Sequence, residues 1–152
     1  MFYPIMVDLE KLNILVIGGG KISYRKVYSM IGYVEKIIII SPEFIDDFLE
    51  LEKKFEGVIL IKKKVEYVDI DNMDLVFAAT DNTELNSSIS EYCKNKKILI
   101  NSVDNHKNSN FINMAFFETK YDSNDIIVSV SCLGKNPAIL KRIKNKLKYF
   151  FE

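Results

Sequence analysis

Short aliphatic runs alternate with helix-patterned segments from Ile14 to Ser102, and this alternation constrains the fold more than any other feature of the chain. Ile14–Ile17 reads as a strand buried on both faces, because its apolar residues follow one another with no polar alternate. Ile22, Val27, Met30 and Ile31 then recur at helical spacing, and Gly32 follows as a stop. Further strands are predicted at Lys36–Ile40, Val58–Ile61, Asp74–Thr80 and Lys97–Ser102. Ser41 is expected to cap a helix that has Pro42 at its first position and Phe44, Phe48, Leu51 and Phe55 on its apolar face. Leu85, Ile89, Tyr92 and Cys93 mark one side of another helix. Strands joined through helices need right-handed crossovers, so the sheet is parallel with helices on both faces. The expected class is α/β, a Rossmann-like doubly wound parallel sheet over residues 1–112.

The pattern changes after "DNHKNSN". Phe116–Phe117 and Ile126–Val130 flank the turn-rich "KYDSND" and predict a hairpin. Asn136 and Pro137 open a last helix with Ile139, Leu140, Ile143, Leu147 and Phe150 on one face. A hairpin and one helix are too little to bury a core of their own. Residues 113–152 are therefore expected to be a small α+β dimerisation and substrate segment, and the protein a homodimer.

Bulk properties remove several function classes. The 152 residues suit one domain with a modest extension, and 48% hydrophobic content is enough for a buried core. Lys plus Arg and Asp plus Glu both number 21, so the basic excess of a nucleic-acid binder is missing. Cys93 and Cys132 have no CxxC spacing and only one histidine accompanies them, which leaves too few ligands for the usual zinc site; no metal is expected. "MFYPIMVDLEK" lacks a basic n-region and meets Asp8 and Glu10 early, unlike a signal peptide. No apolar run approaches the ~20 residues that cross a bilayer. These features predict a cytoplasmic protein with no membrane or nucleic-acid partner.

Gly18, Gly19 and Gly20 stand at the first strand-to-helix turn, "NILVIGGGKISYRK". A plain turn, a packing need, or a backbone that must approach a ligand would each place glycine there. The spacing Gly-x-Gly-x-x-Gly puts its members at Gly18, Gly20 and position 23, where Ser23 replaces the last glycine. Without a Cβ, backbone amides reach a pyrophosphate, and the helix N-terminus adds about half a positive charge. A dinucleotide cofactor is expected. The acidic ribose partner should end the second strand, where the chain reads Ile40, Ser41, Pro42, Glu43. Glu43 either reaches the ribose or is the second residue of a helix, where its charge suits the dipole. No arginine stands nearby for a 2′-phosphate, which favours NAD over NADP.

"YPIMVDLEKLNILVIGGGKISYRKV", "SPEF", "VFAATDNTELN", "INSVDNHKNSNFI" and "GKNPAILKRIK" follow in this order over nearly the whole chain. Together they resemble precorrin-2 dehydrogenase, the NAD-dependent enzyme of sirohaem synthesis, which in some members is also a sirohydrochlorin ferrochelatase. The resemblance implies oxidation of the tetrapyrrole precorrin-2 to sirohydrochlorin, with hydride passing to NAD. It implies Lys21 and Ile22 at the cofactor phosphates, Pro42 and Glu43 by the adenosine ribose, and Ala79 and Thr80 beside the nicotinamide. The family's catalytic aspartate falls on Asp104 of "NSVD". Relatives usually continue into a further helical segment that helps wall the tetrapyrrole site; here a partner protomer or separate protein would take over that part, or this form would be reduced in function.

Asp104 lies just past the fifth strand, at the edge where such sheets place ligands. Dehydrogenation releases a hydride and a proton, and a nearby carboxylate suits the proton as a general base. Asp104 could equally hold the substrate, bind Fe²⁺, or cap the "DNHKNSN" turn. His106 is either a partner in proton handling or a solvated loop residue. Arg25, Lys26, Lys107 and Lys135 are candidate contacts for substrate carboxylates, whereas the run from Lys141 to Lys148 reads as a solvated helix face. Cys132 reads as a small buried residue or, alternatively, an iron ligand. Besides the dehydrogenase, two functions stay open: a ferrochelatase that does not use NAD, and an NAD-sensing binding module with no need of a base at Asp104.

Overall fold

A computed structural model describes residues 2–133 and 135–151. Gly134, which opens the last family-like stretch, lies outside the described residues, as do Met1 and Glu152. The chain divides into two compact units, one spanning Tyr3–Phe111 and the other running from Ile112 onward together with Phe2.

In the first unit, β1 (Ile14–Ile17), β2 (Ile37–Ser41), β3 (Val58–Lys62), β4 (Leu75–Ala78) and β5 (Leu99–Ser102) form one parallel sheet in the order β3-β2-β1-β4-β5. They are joined through α1 (Lys21–Met30), α2 (Asp46–Lys54) and α3 (Thr83–Asn95) among other connections. This is the Rossmann-like doubly wound arrangement, and its chain direction across the sheet reverses between β1 and β4. Alternate strand residues feed two cores. Ile14, Val16, Ile37, Ile39 and Phe77 pack with Val27, Met30, Phe48 and Leu51 on one face. Leu15, Ile17, Ile40, Val76, Ala78 and Ile100 pack with Ile70, Ile89 and Cys93 on the other. Burying each such side chain contributes about 1.5–3 kcal/mol. Desolvation in the second core pushes the Cys93 thiol up to about 12, which leaves it unreactive.

The entry to α2 differs from the sequence expectation. Ser41 is the last residue of β2 and caps nothing, Pro42 and Glu43 lie in an exposed loop, and α2 begins only at Asp46 with Ile45 as its N-cap. The loop is held by the glycine turn instead: Ile45 N donates to Gly19 O at 3.0 Å. Asp46 and Asp47 then supply the acidic first turn that favours the helix dipole. At the other end Phe55 is the C-cap and 38% exposed, so it is not part of the buried face. Strand β5 starts two residues later than expected because Lys97 takes a left-handed turn conformation, φ 62°.

The second unit contains the expected hairpin, β6 (Ala115–Tyr121) paired antiparallel with β7 (Asn124–Val130). Its two turn residues, Asp122 and Ser123, both have positive φ (47° and 66°), matching the right-handed strand twist. Helix α4 (Pro137–Phe151) is capped by Asn136, whose Oδ1 accepts from Ile139 N at 3.0 Å. Phe151 meets Phe117 and Tyr121 edge-on, with ring centroids 6.2 Å apart in each pair. Ile139, Ile143 and Phe150 on α4 remain exposed, as does Ile127 on β7. Cys132 is half-buried rather than buried, and its Sγ accepts from Asn136 N at 3.3 Å.

Candidate functional site

The three glycines do three different things. Gly18 has φ +123°, and a Cβ there would run into the Ala79 carbonyl at the end of β4. Gly19 faces the Glu43 carbonyl and Ser41 Oγ, again with no room for a Cβ. These two positions are explained by packing: they let β1 turn between the ends of β2 and β4, where Gly18 N also donates to Ile40 O at 2.9 Å. Gly20 is different, because a Cβ there would meet no protein atom within 4 Å. Nothing in the described chain requires glycine at this place, the N-cap of α1. The bare position leaves an open cradle in front of the helix.

That helix end suits an anion. No side chain caps α1, and its first turn carries no acidic residue. Lys21 and Ile22 of this turn are both exposed, Ile22 by 52% despite being apolar. Ser23, in place of the third glycine, is fully buried and donates its hydroxyl to Gly20 O at 2.7 Å. The substitution is thus absorbed within the turn, since the hydroxyl satisfies itself where helix and strand approach. A diphosphate fits the donors and the space present here.

Thr80 and Asp104 each lie two residues past the ends of neighbouring strands, with Ala78 and Ser102 in register across β4 and β5. Between them stands Asn86 of α3, fully buried. Its Nδ2 donates to Thr80 O and to Asp104 Oδ2, both at 3.0 Å. Its Oδ1 accepts from Thr80 Oγ1 at 2.7 Å and from Thr80 N at 3.2 Å. The other carboxylate oxygen, Asp104 Oδ1, accepts from Ser102 Oγ at 2.5 Å. Partial desolvation pushes the Asp104 carboxyl up, but the hydrogen bonds from Ser102, Asn86 and the backbone amides of Asp104 and Asn105 outweigh it and leave the group below its ordinary range. Asp104 is therefore an exposed, oriented, ionised carboxylate.

The glycine turn, Thr80 and Asp104 thus sit at the C-terminal ends of β1, β4 and β5, and Pro42 and Glu43 follow the end of β2. Glu43 lies outside α2, which removes the helix-dipole reading of its charge. His106 lies on an exposed turn, His106–Asn108. Lys26 is not an outward-facing cation: its Nζ donates to Asn101 Oδ1 at 2.9 Å and lies 4.9 Å from the Phe77 ring centroid. Arg25, by contrast, is exposed. A shallow depression lined by Lys11, Asn13, Glu35, Lys36 and Gly57 is at the opposite, N-terminal edge of the strands. Sequence reasoning missed Asn86 and Ser102. The signal for Asn86 was a polar residue one turn before Ile89 on the buried side of α3.

Residues 5–115 match the family NAD_binding_7, described as "Putative NAD(P)-binding". The siroheme synthase of Pseudoalteromonas translucida (strain TAC 125) is 31% identical over 147 residues, which is 97% of this chain and 30% of the relative. That of Pseudoalteromonas atlantica (strain T6c / ATCC BAA-1087) is 33% identical over 147 residues, covering 97% of this chain and 31% of the relative. The chain thus spans about a third of the length of the curated relatives it matches. Among solved structures, "SirC, precorrin-2 dehydrogenase" superposes with a TM-score of 0.77 at 25% identity, over 99% of this chain and 72% of that one. No helix among the described residues is long and apolar enough to cross a membrane. With a doubly wound sheet, an open glycine cradle and these relatives, the chain belongs to the NAD_binding_7 family, in its precorrin-2 dehydrogenase and siroheme synthase group.

Proposed function

We propose that this chain oxidises precorrin-2 to sirohydrochlorin in sirohaem biosynthesis, with NAD as the hydride acceptor and Asp104 as the proton acceptor. The observation that carries the reading is the fixed Asp104 carboxylate at the same sheet edge as the open Gly20 cradle. NAD supplies an electrophilic nicotinamide carbon to which a hydride can pass. The amides of the first turn of α1 hold the diphosphate, Glu43 takes the ribose hydroxyls, and Ala79 and Thr80 border the nicotinamide. As a C–H bond of the macrocycle gives up its hydride, the accompanying proton goes to a carboxylate oxygen of Asp104. Asp104 is ionised at neutral pH and exposed, so it can take this proton and pass it to water.

NAD is preferred to NADP in this reading, since Glu43 would repel a 2′-phosphate and no arginine accompanies it. Residues 113–152 act as the dimerisation and substrate segment of a homodimer. The exposed Ile139, Ile143 and Phe150 of α4 support that role. Two free cysteines, Cys93 and Cys132, support a reducing compartment, the cytoplasm.

Anaerobic incubation of the purified chain with precorrin-2 and NAD tests the activity, followed by NADH and sirohydrochlorin absorbance. The two should rise together in equal amounts. Absence of both, with NAD binding intact, would reject the dehydrogenase reading in favour of a binding module.

A further inference from the structure

We propose that Asn86 is a positioning residue whose single carboxamide fixes the Thr80 turn and aims the Asp104 carboxylate, so that the cofactor edge and the proton acceptor move as one. The catalytic sense of this proposal rests on the dehydrogenase reading above; the coupling itself does not.

A primary carboxamide has two N–H donors and two acceptor lone pairs. Asn86 uses all of them: both donors (to Thr80 O and Asp104 Oδ2) and both lone pairs (from Thr80 N and Thr80 Oγ1). Its orientation is fixed by the same set. Rotating the amide by half a turn would face its NH₂ against the Thr80 N–H and its oxygen against a carbonyl and a carboxylate. The residue is 0% exposed, so water offers no replacement partner. Its backbone is also rigid, since Asn86 N donates to Asn82 O and Ser90 Oγ donates to Asn86 O in the first turns of α3.

Neither of the side chains closest to asparagine in shape does this. Aspartate would lack both donors and set a second negative charge against Asp104. Leucine would leave the Thr80 amide without a partner. The linkage spans 18 residues of sequence between Asn86 and Asp104, and Thr80 is a further six residues before Asn86. Since Thr80 and Asp104 share one amide as their meeting point, a displacement of the turn alters the donor geometry at Asp104 Oδ2. The side chains that hold the Asp104 carboxylate, Asn86 and Ser102, are neutral. Asp81 in the Thr80 turn, Glu84 on α3, and His106 and Lys107 after β5 make no hydrogen bond to it among the described residues.

The test reads Asp104 directly. Carbon-13 NMR on the full chain labelled at aspartate follows the Asp104 carboxyl titration in wild type, Asn86→Ala and Thr80→Val, without cofactor or substrate. Asn86→Ala removes one donor and should raise the midpoint by about one pH unit. Thr80→Val does not touch Asp104 yet removes the 2.7 Å bond that anchors the amide, and should raise the midpoint by at least about 0.3 pH units. An Asp104 midpoint unmoved by Thr80→Val overturns the coupling, and this arm decides even if Asn86→Ala does not fold. Turnover is scored separately: the acid limb of kcat should shift in the same direction as the NMR midpoint. A coupled carboxyl without any wild-type turnover would leave the coupling standing and remove the dehydrogenase reading. Turnover with an unmoved carboxyl would do the reverse.

Discussion

Lys26 Nζ lies 2.9 Å from Asn101 Oδ1, a hydrogen bond between α1 and β5 that covers the Phe77 ring. Asn101 in turn donates from Nδ2 to Phe111 O at 3.2 Å. The sheet face beyond α1 is thus closed by a lysine rather than an apolar side chain. Burial lowers the ammonium from its ordinary value of 10.5 to about 8. The folded chain therefore binds fewer protons than the unfolded chain between these two values. Below pH 8 the folded state carries the full penalty; the penalty shrinks as pH rises and is gone above 10.5. It amounts to at most about 3 kcal/mol. Urea unfolding of wild type and Lys26→Met at pH 7.5, 9 and 10 should show the wild type gaining on the variant as pH rises. A difference that stays constant across the range would remove this account of Lys26.

The glycine turn makes a prediction that separates its members. Gly18→Ala and Gly19→Ala should each destabilise the fold, by about 1–3 kcal/mol for the positive φ at Gly18 and by at least as much for the clash at Gly19. Gly20→Ala should lower the thermal midpoint by no more than about 4 °C, since no protein atom is near and only the helix N-cap preference for glycine over alanine is lost. Its effect belongs to the ligand: calorimetry should find dinucleotide affinity reduced about tenfold or more, equivalent to at least ~1.4 kcal/mol. Unchanged affinity in a folded Gly20→Ala protein would mean that the cradle does not face the diphosphate.

What was legible in the chain follows from the physics of each element. Strands such as Ile14–Ile17 are buried on both faces, so their apolar runs announce them, and the parallel sheet follows from the helices between. The start of α2 was not legible, because "SPEF" has the local chemistry of a helix N-terminus. A tertiary demand overrode it: Ile45 N is tied to Gly19 O, which keeps the chain extended past Pro42. The glycine turn could be read as a motif, but only the packing partners distinguish Gly20 from its neighbours. Asn86 was hidden for the same kind of reason. Its position on α3 is visible in sequence, whereas its four bonds depend on β4 and β5 ending side by side.

Under the proposed function, Glu43 is the residue that would set the choice of dinucleotide. It is exposed, free of helix α2, and follows β2 by two residues, with its carbonyl against Gly19. A carboxylate there accepts from ribose hydroxyls and repels a 2′-phosphate. Glu43→Ala should weaken NAD and strengthen NADP, so that the ratio of their dissociation constants changes about tenfold or more. Equal effects on the two cofactors would assign the ribose to another residue.

The acid side of the pH profile tests Asp104. Its carboxyl is lowered from 3.8 by donors that are present only in the folded chain. Its contribution to stability is therefore complete above 3.8 and is lost as pH falls through the lower folded value. The same ionisation would govern its proposed use as a proton acceptor, so kcat should stay level from neutral pH down to about pH 4 while the protein remains folded. An inflection between pH 5 and 8 would point to a group other than Asp104 as the proton acceptor. Asp104→Asn keeps the shape but removes the base, and should lower kcat by about 10²–10⁴-fold. NAD affinity should change less than about twofold, because Asp104 contacts the cofactor in no part of the proposed arrangement. Loss of NAD binding together with activity would mean that Asp104 shapes the cofactor site instead of accepting the proton.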